Sequence, residues 1–299
     1  LIHEKEQHER TGDQAMNTQS DKNSLVWFIT GTSGGIGREL VREALRRGDS
    51  VVATSRNPGK VAEAFAEHEA QLLTVAMDLG SYDQITAAVQ AGISRFGKVD
   101  VLVNNAGYGF IGAVEEANDD EVNKVHETNV FGLIRVLRAV LPHFRDRKSG
   151  HIVNLSSIGG LVGLPGFGIY NSTKFAVEGI SEALAAEVAP FGIKVTVVEP
   201  GPFRTEFLAG SLALAKNEMP QYEKTAGVTR AGASTRNGNQ PGDPARAARA
   251  IIKAVTSENP PLHLLLGRLA YDHATVKIEK LRKEIETWRE VTLGADFEN

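Results

Sequence analysis

The sequence predicts an α/β fold, a single domain built on a doubly wound parallel sheet of seven strands, and three observations lead there. Short runs rich in Val, Ile and Leu recur at 25–30, 50–55, 72–77, 99–103, 151–155, 194–198 and 262–266. They are nearly continuous in apolar character, as strands buried on both faces are. Between them stand longer segments of helical period, at 36–47, 82–96, 119–147, 170–189 and 244–257, which supply the crossovers that parallel strands need. Neither an internal repeat nor an interdomain linker interrupts the series, and 299 residues suit one large core.

Composition narrows the function classes. A net charge of −4 and a pI near 6.1 give no basic footprint for nucleic acid or an anionic membrane, so the expected partners are small molecules and other subunits. The chain has no cysteine, which excludes disulfides, thiolate zinc sites and cysteine nucleophiles; no metal site is expected. No apolar run reaches the roughly 18 residues of a membrane span, and the N-terminus lacks the apolar segment of a secretory signal. Cytoplasm is the expected location. Residues 1–24 are polar and aperiodic and are expected to form a disordered extension, with Met16 a candidate start and residues 1–15 an upstream remnant.

In an open sheet of this kind, ligands bind beyond the carboxyl ends of the strands. The first strand ends in Thr30-Gly31-Thr32-Ser33-Gly34-Gly35-Ile36-Gly37, directly before a helix. Glycines let the backbone turn sharply and approach a pyrophosphate, and the helix N-terminus offers unpaired N–H groups. The spacing, GxxxGxG, is wider than the GxGxxG fingerprint, and a purely structural tight turn is the bland alternative. The second strand runs into Arg56, where an NAD site places an acid; an arginine suits the 2′-phosphate of NADP, while a solvated loop arginine is the plain reading. Asp78-Leu79 follows the third strand and Asn104-Asn105-Ala106-Gly107 the fourth. There a carboxylate can accept from an adenine amino group, and small residues let a cofactor lie on the backbone. A helix cap at Asp78 and a simple turn at 104–107 are the competing explanations.

TGTSGGIG, the Asp78-Leu79 pair, NNAG, Tyr170-Asn171-Ser172-Thr173-Lys174 and PGPFRT follow one another in order and spacing that resemble the classical short-chain dehydrogenase/reductase family over about 25–266. The resemblance implies a Rossmann-type domain and hydride exchange between NADP(H), favoured over NAD(H), and a carbonyl or alcohol. Tyr170 and Lys174 lie one helical turn apart and share a face. A phenol of reference pKa about 10 needs roughly 4 kcal/mol of phenolate stabilisation to reach neutrality, which a nearby ammonium and an oxidised nicotinamide can supply. Tyr170 is therefore cast as general acid and base, and Lys174 as its electrostatic tuner and a donor to the nicotinamide ribose.

In this family the serine on the reacting oxygen matches Ser157, which the spacing favours over Ser156, and the helix asparagine that holds a water connected to the lysine matches Asn129. A helix-packing role for Asn129 is the alternative. Pro200 and Gly201 turn the chain away from the sheet, and the resemblance assigns Thr205 to the nicotinamide carboxamide.

Residues 203–242 begin apolar, with Phe207, Leu208, Leu212 and Leu214, and continue glycine-rich and polar, a composition that fits a substrate lid. Leu161, Val162, Leu164 and Phe167 are expected to form a second apolar wall. A hydrophobic ketone or alcohol is the expected substrate, and 157–165 is similar to the 17β-hydroxysteroid dehydrogenase branch. The C-terminal helix carries Ile278, Leu281, Ile285 and Trp288 as an apolar stripe, expected to pack on its own domain. The family's long helices imply a homodimer or homotetramer. Two other readings stay open: an NAD-dependent polyol or acyl-thioester dehydrogenase, and a non-enzymatic NADP(H)-sensing regulator.

Overall fold

Strand β1, Val26–Thr30, is buried along its whole length, and it divides its side chains between two cores. Trp27 and Ile29 face one, Phe28 the other. The computed structural model describes residues 24–297; the N-terminal extension expected over 1–24 lies outside them except for Ser24. The expected seven-stranded parallel sheet is present, in the order β3-β2-β1-β4-β6-β7-β9. Its other strands are β2 (Ser50–Ser55), β3 (Leu72–Ala76), β4 (Val101–Asn104), β6 (Gly150–Leu155), β7 (Ile193–Pro200) and β9 (His263–Leu266). The order reverses between β1 and β4, the position where such sheets open a crevice at their carboxyl edge.

Helices cover both faces. On one, α1 (Gly35–Arg46) and α8 (Pro244–Val255) pack Leu40, Val41, Ala248 and Ile251 against Trp27, Ile29 and Val103. On the other, α3 (Tyr82–Phe96), α5 (Leu133–Arg147) and α6 (Gly168–Val188) bury Ile85, Val136, Phe144 and Val177 against Phe28, Leu102 and Ile152. A short α2 (Gly59–Ala64) follows β2, and β5 (Gly109–Ile111) pairs in parallel with β8 (Leu212–Leu214) in a separate two-stranded sheet.

Three departures from the sequence reading have physical causes. The single helix expected over 119–147 is α4 (Asp119–His126), a π-helical stretch Glu127–Gly132, and α5; the wider turn is the usual form of an inserted residue in a helix, and it carries Asn129. Residues 203–242, where the sequence reading draws no strand or helix, contain β8 and α7 (Val228–Arg236). The stripe of α9 (Arg268–Thr287), continued by α10 (Arg289–Leu293), does not pack at home. Ala270 and Ala274 hold α9 to the domain, while Ile278, Leu281, Ile285 and Trp288 are exposed. Small residues near the start of α9 allow close docking there, and the helix then leaves the body.

One buried carboxylate ties the amino edge of the sheet. Asp49 is 2% exposed and accepts from the Leu25 N–H at 3.0 Å and from the Trp27 indole Nε1–H at 3.0 Å. Removing it leaves two donors without partners in or beside the core. Asp49→Ala is expected to lower the unfolding free energy by about 2–4 kcal/mol, measured by urea denaturation; a loss under about 0.5 kcal/mol, the range of ordinary surface changes, would contradict this account.

Candidate active site

The turn after β1 is built from backbone demands. Gly31 and Gly35 have φ of +72° and +57°, in the left-handed region that side chains other than glycine avoid. A Cβ on Gly31 would also fall 2.7 Å from the Ala106 Cα, and one on Gly37 2.6 Å from the Gly31 carbonyl. Helix α1 begins without a side-chain cap and without an acidic residue in its first turn, so its backbone N–H groups are left for an anion. The Glu206 carboxylate already comes within 3.6 Å of a Cβ position on Gly34. A cleft of about 430 Å³ flanks this turn, lined by Gly34, Gly35, Arg38, Arg42, Arg204 and Thr205 among others.

The expected cofactor residues divide into two sets. Gly31, Ser33, Gly34, Gly35 and Gly37 form the turn itself, with Ser33 exposed. Arg56 is exposed immediately past β2, and Asp78 is exposed with one oxygen accepting from the Gly80 N–H at 2.8 Å. Ala106 and Gly107 line the path from the turn toward Lys174: a Cβ on Gly107 would lie 3.1 Å from the Asn129 Oδ1 and 3.8 Å from the Lys174 Nζ. The second set serves the frame. Thr32 is fully buried, and both its N–H and its hydroxyl donate to the Thr54 carbonyl. Ile36 packs against the core. The Asn105 amide donates to the carbonyls of Thr30 and Gly31, both at 2.9 Å, and so holds the glycine turn to β4. Leu79 packs where Gly132 leaves room for it, and Gly201 lies against β9 and α9, its N–H on the Leu266 carbonyl. Pro200 is half-buried at the end of β7. The Thr205 methyl meets Gly35, and its hydroxyl accepts from the Phe207 N–H at 3.2 Å.

Asn129, Ser157, Tyr170 and Lys174 come together around the start of α6. In the π-helical stretch, the Asn129 amide donates to the Tyr108 carbonyl and the Thr173 hydroxyl and accepts from the Tyr108 N–H. The side chain thereby pins the segment after β4 to α6. The Lys174 ammonium, 6% exposed, donates to the Leu155 carbonyl at 2.7 Å, and its Nζ lies 5.9 Å from the centre of the Tyr170 ring. Burial pushes the Tyr170 phenol up to about 12, a hydrogen bond with Ser157 opposing. Burial likewise lowers Lys174 to about 8, with the Glu178 charge opposing. The protein alone thus holds the phenol protonated. The tuning by Lys174 expected from spacing is outweighed by desolvation in this state.

Ser156 and Ser157 separate cleanly. The Ser156 hydroxyl is buried and directed at the Lys174 carbonyl, 3.4 Å away, whereas Ser157 faces the phenol and accepts from the Gly159 N–H at 3.0 Å. Asn171, not singled out in the sequence, fixes this loop: its amide donates to the Gly159 carbonyl and accepts from the Leu164 N–H. The signal for it was present in the Tyr-Asn-Ser-Thr-Lys pentapeptide, since an asparagine one residue past the tyrosine projects toward a different neighbour.

Phe167 and Phe207 flank the phenol, with ring centres 6.0 Å and 5.8 Å from that of Tyr170, and the part-buried Tyr108 and fully buried Phe110 belong to the same apolar cluster. Leu161 and Val162, expected in this wall, instead pack with Ile158, Ala270 and Ala274 under α9, because the loop turns there toward the C-terminal helix. Residues 218–230 are strapped down by Glu116. That carboxylate is buried, accepts from the N–H groups of Ala113 and Met219, and pairs with Arg230 at 2.6 Å. Burial opposes its charge, yet the two N–H groups and the guanidinium hold it below the usual carboxylate range.

The displaced Lys174 titration makes a stability prediction. An unfolded lysine titrates near 10.5 and the folded one near 8, so between these values only the unfolded chain keeps the proton. Stability therefore rises with pH through that window, and the penalty is full below it. Lys174→Met is expected to unfold at a higher temperature than the parent at neutral pH, with the advantage shrinking as pH climbs from about 8 to 10.5. Thermal unfolding across this range checks it; a less stable variant at neutral pH would show that the ammonium is not penalised.

A family model described as short chain dehydrogenase matches residues 25–213. The chain is 39% identical over 271 residues to oxidoreductase BOA17 of Botryotinia fuckeliana, covering 90% of this chain and 98% of that one. It is 38% identical over 247 residues to a 3-ketodihydrosphingosine reductase of Bacteroides thetaiotaomicron, covering 82% and 88%. Among solved structures, a short-chain dehydrogenase from Streptomyces avermitilis superposes with a TM-score of 0.86 at 41% identity, over 92% of this chain and 99% of that one. ElxO with NADP bound (TM-score 0.67, 29% identity) and a Brucella melitensis 3-ketoacyl-(acyl-carrier-protein) reductase complexed with NADH (0.67, 27%) each cover 81% of this chain and 96% of their own. With the glycine turn, the Tyr170–Lys174 pair and Ser157 gathered at one sheet edge, the chain belongs to the short-chain dehydrogenase family and is an oxidoreductase of carbonyl or CH–OH groups that uses a nicotinamide cofactor.

Proposed function

We propose that this chain is an NADP(H)-dependent enzyme that interconverts a hydrophobic ketone and its secondary alcohol. The observation that carries the reading is the placement of the Tyr170 phenol: buried, pushed up to about 12 by that burial, set beside Lys174 and flanked by Phe167 and Phe207. The left-handed glycines, the uncapped start of α1 and the small residues at 106–107 fit a dinucleotide. Bound cofactor supplies or accepts the hydride. The protein's groups do the rest. Tyr170 gives its proton to the carbonyl oxygen in reduction and takes it back in oxidation, Ser157 donates to the same oxygen as charge develops, and Lys174 opposes loss of positive potential beside the phenol. Asn129 and Thr173 hold the backbone that surrounds Lys174.

Arg56 supports NADP(H). It is exposed just past β2, where no carboxylate stands to bind a ribose diol. The part-buried rings of Tyr108, Phe167 and Phe207 beside Tyr170 favour an apolar substrate of medium size; a steroid-like ketone fits the likeness of 157–165, and a long-chain keto compound fits the relative named 3-ketodihydrosphingosine reductase. Residues 203–242 act as the lid, with Phe207 at its inner face and the Glu116–Arg230 pair as its anchor. Exposed Phe131 and Phe175, at 48% and 46% on the long helices, support a homodimer or homotetramer, which light scattering in solution tests.

NADPH oxidation followed against steroid ketones, long-chain keto compounds and keto esters, with NADH in parallel, tests the reading. Turnover with at least one hydrophobic ketone is expected; cofactor binding without turnover across the panel would favour a sensor. Tyr170→Phe is expected to lower kcat by about 10²–10⁴-fold while NADPH affinity is kept, and an active variant would refute the acid/base role. Arg56→Ala is expected to weaken NADPH about 10-fold or more and NADH little; equal losses would remove Arg56 from the 2′-phosphate.

A further inference from the structure

Past Lys174, α6 turns a second group of polar side chains toward the sheet. Glu178 follows one helical turn on and is 5% exposed; Glu199, beside Pro200 near the end of β7, is fully buried. His263 opens β9 and reaches both carboxylates, its Nδ1 donating to the Glu199 Oε1 at 2.8 Å and lying 3.8 Å from the Glu178 Oε2. Both oxygens of Glu178 and the remaining oxygen of Glu199 meet no hydrogen-bond donor. The Ser156 hydroxyl, 3.4 Å from the Lys174 carbonyl, stands near Glu178 without a well-formed hydrogen bond to it. The space is kept open for the carboxylate: a Cβ on Gly160 would fall 2.7 Å from the Glu178 Oε1.

Two carboxylates buried side by side with three oxygens lacking donors are strongly unfavourable as they stand. His263, its side chain 42% exposed on the rim, and Lys174, whose ammonium feels the Glu178 charge, give no hydrogen bond to those three oxygens. A divalent cation would engage them: two carboxylates match its charge, and a neutral imidazole completes a mixed oxygen and nitrogen set.

We propose that Glu178, Glu199 and His263 form a divalent-cation site of the zinc type, open to water along its His263 edge. One donor atom from each of the three lies within 4.8 Å of the others, so side-chain shifts of about 1 Å bring them to Zn–O and Zn–N bonds of about 2.0–2.2 Å. The His263 nitrogen that now donates to Glu199 gives up its proton on taking the ion. Glu182 Oε1, 3.8 Å from the His263 Nε2, orients the ring from outside. The ion would clamp α6, which carries Tyr170 and Lys174, to β7 and β9, which lead into and support the Pro200–Gly201 turn. The sequence, in which no metal site was expected, separates these ligands onto three elements with none of the close spacings by which metal motifs are read.

The test uses the whole protein, stripped with chelator and dialysed. Calorimetric titration with ZnCl2 is expected to show one equivalent bound, and the Tm to rise by about 5 °C or more at saturating Zn²⁺. Mg²⁺, which favours all-oxygen octahedral sites, is expected to leave it unchanged. His263→Ala and Glu199→Gln should each weaken Zn²⁺ binding at least about 10-fold. No Zn²⁺-dependent rise in the parent would overturn the proposal, leaving two carboxyl groups that share a proton. The same rise retained in the variants would also overturn it, by placing the ion elsewhere. Should Glu199→Gln fail to fold, His263→Ala, at a part-exposed position, decides the matter.

Discussion

The Lys174 ammonium sits almost wholly out of water, with the Leu155 carbonyl as its hydrogen-bond partner, and much of the molecule's carboxyl edge is arranged around that burden. A cation in this position is costly unless the surrounding backbone is held still and its own polar groups are satisfied. The fold answers with a set of side chains that each join two elements. Asn129 links the segment after β4 to α6 through Tyr108 and Thr173. Asn105 and the Thr30 hydroxyl join β4 to β1 and the glycine turn. Asn171 fastens the loop carrying Ser157, and Asn104, Asn154 and Ser181 form a chain through the middle of the sheet into α6. These asparagines spend their amides on neighbouring elements and so fix the segments that carry Tyr170, Ser157 and Lys174.

The same burial explains the resting electrostatics. Desolvation raises the Tyr170 phenol and lowers the Lys174 ammonium, so both groups are driven toward their neutral forms. A phenol kept protonated is suited to donate to a carbonyl oxygen, and the rings of Phe167 and Phe207 stand against the phenol. The two large apolar cores lie on the two faces of the sheet, and only the small clusters around Tyr170 and Ile158 reach this edge. Stability and chemistry thus occupy different parts of one domain, although α6 serves both, burying Val177 and Leu184 in the core while presenting Tyr170.

Much of this was legible beforehand. Strands buried on both faces announce themselves by unbroken apolar runs, the glycine turn by its stereochemistry and the shared face of Tyr170 and Lys174 by one-turn spacing, whereas Ser157 was picked out through the family resemblance. Other features escaped for physical reasons. The π-helical stretch at 127–132 inserts one residue without changing helical composition, so 119–147 reads as one helix. The side chains of Thr32 and Asn105 look like cofactor ligands in sequence but are consumed by backbone carbonyls of neighbouring strands. The stripe of Ile278, Leu281, Ile285 and Trp288 has the period of a packed face, yet it projects past the body of the domain, since period states which residues share a face and not whether anything meets it.

By itself, then, the sequence determined the α/β class and the seven-stranded parallel sheet, and it set the glycine turn at a strand's carboxyl end and Tyr170 and Lys174 on one helix face, all of which follow from periodicity, glycine stereochemistry and one-turn helical spacing. Tertiary structure alone decided what lies opposite each of those residues. It set Phe207, from a segment far along the chain, against the Tyr170 ring, strapped residues 218–230 to Glu116, and brought Glu178, Glu199 and His263 together from a helix and two strands. Burial and mutual distance control a titration, a pocket wall or a ligand set, and those quantities exist only once the chain has closed on itself.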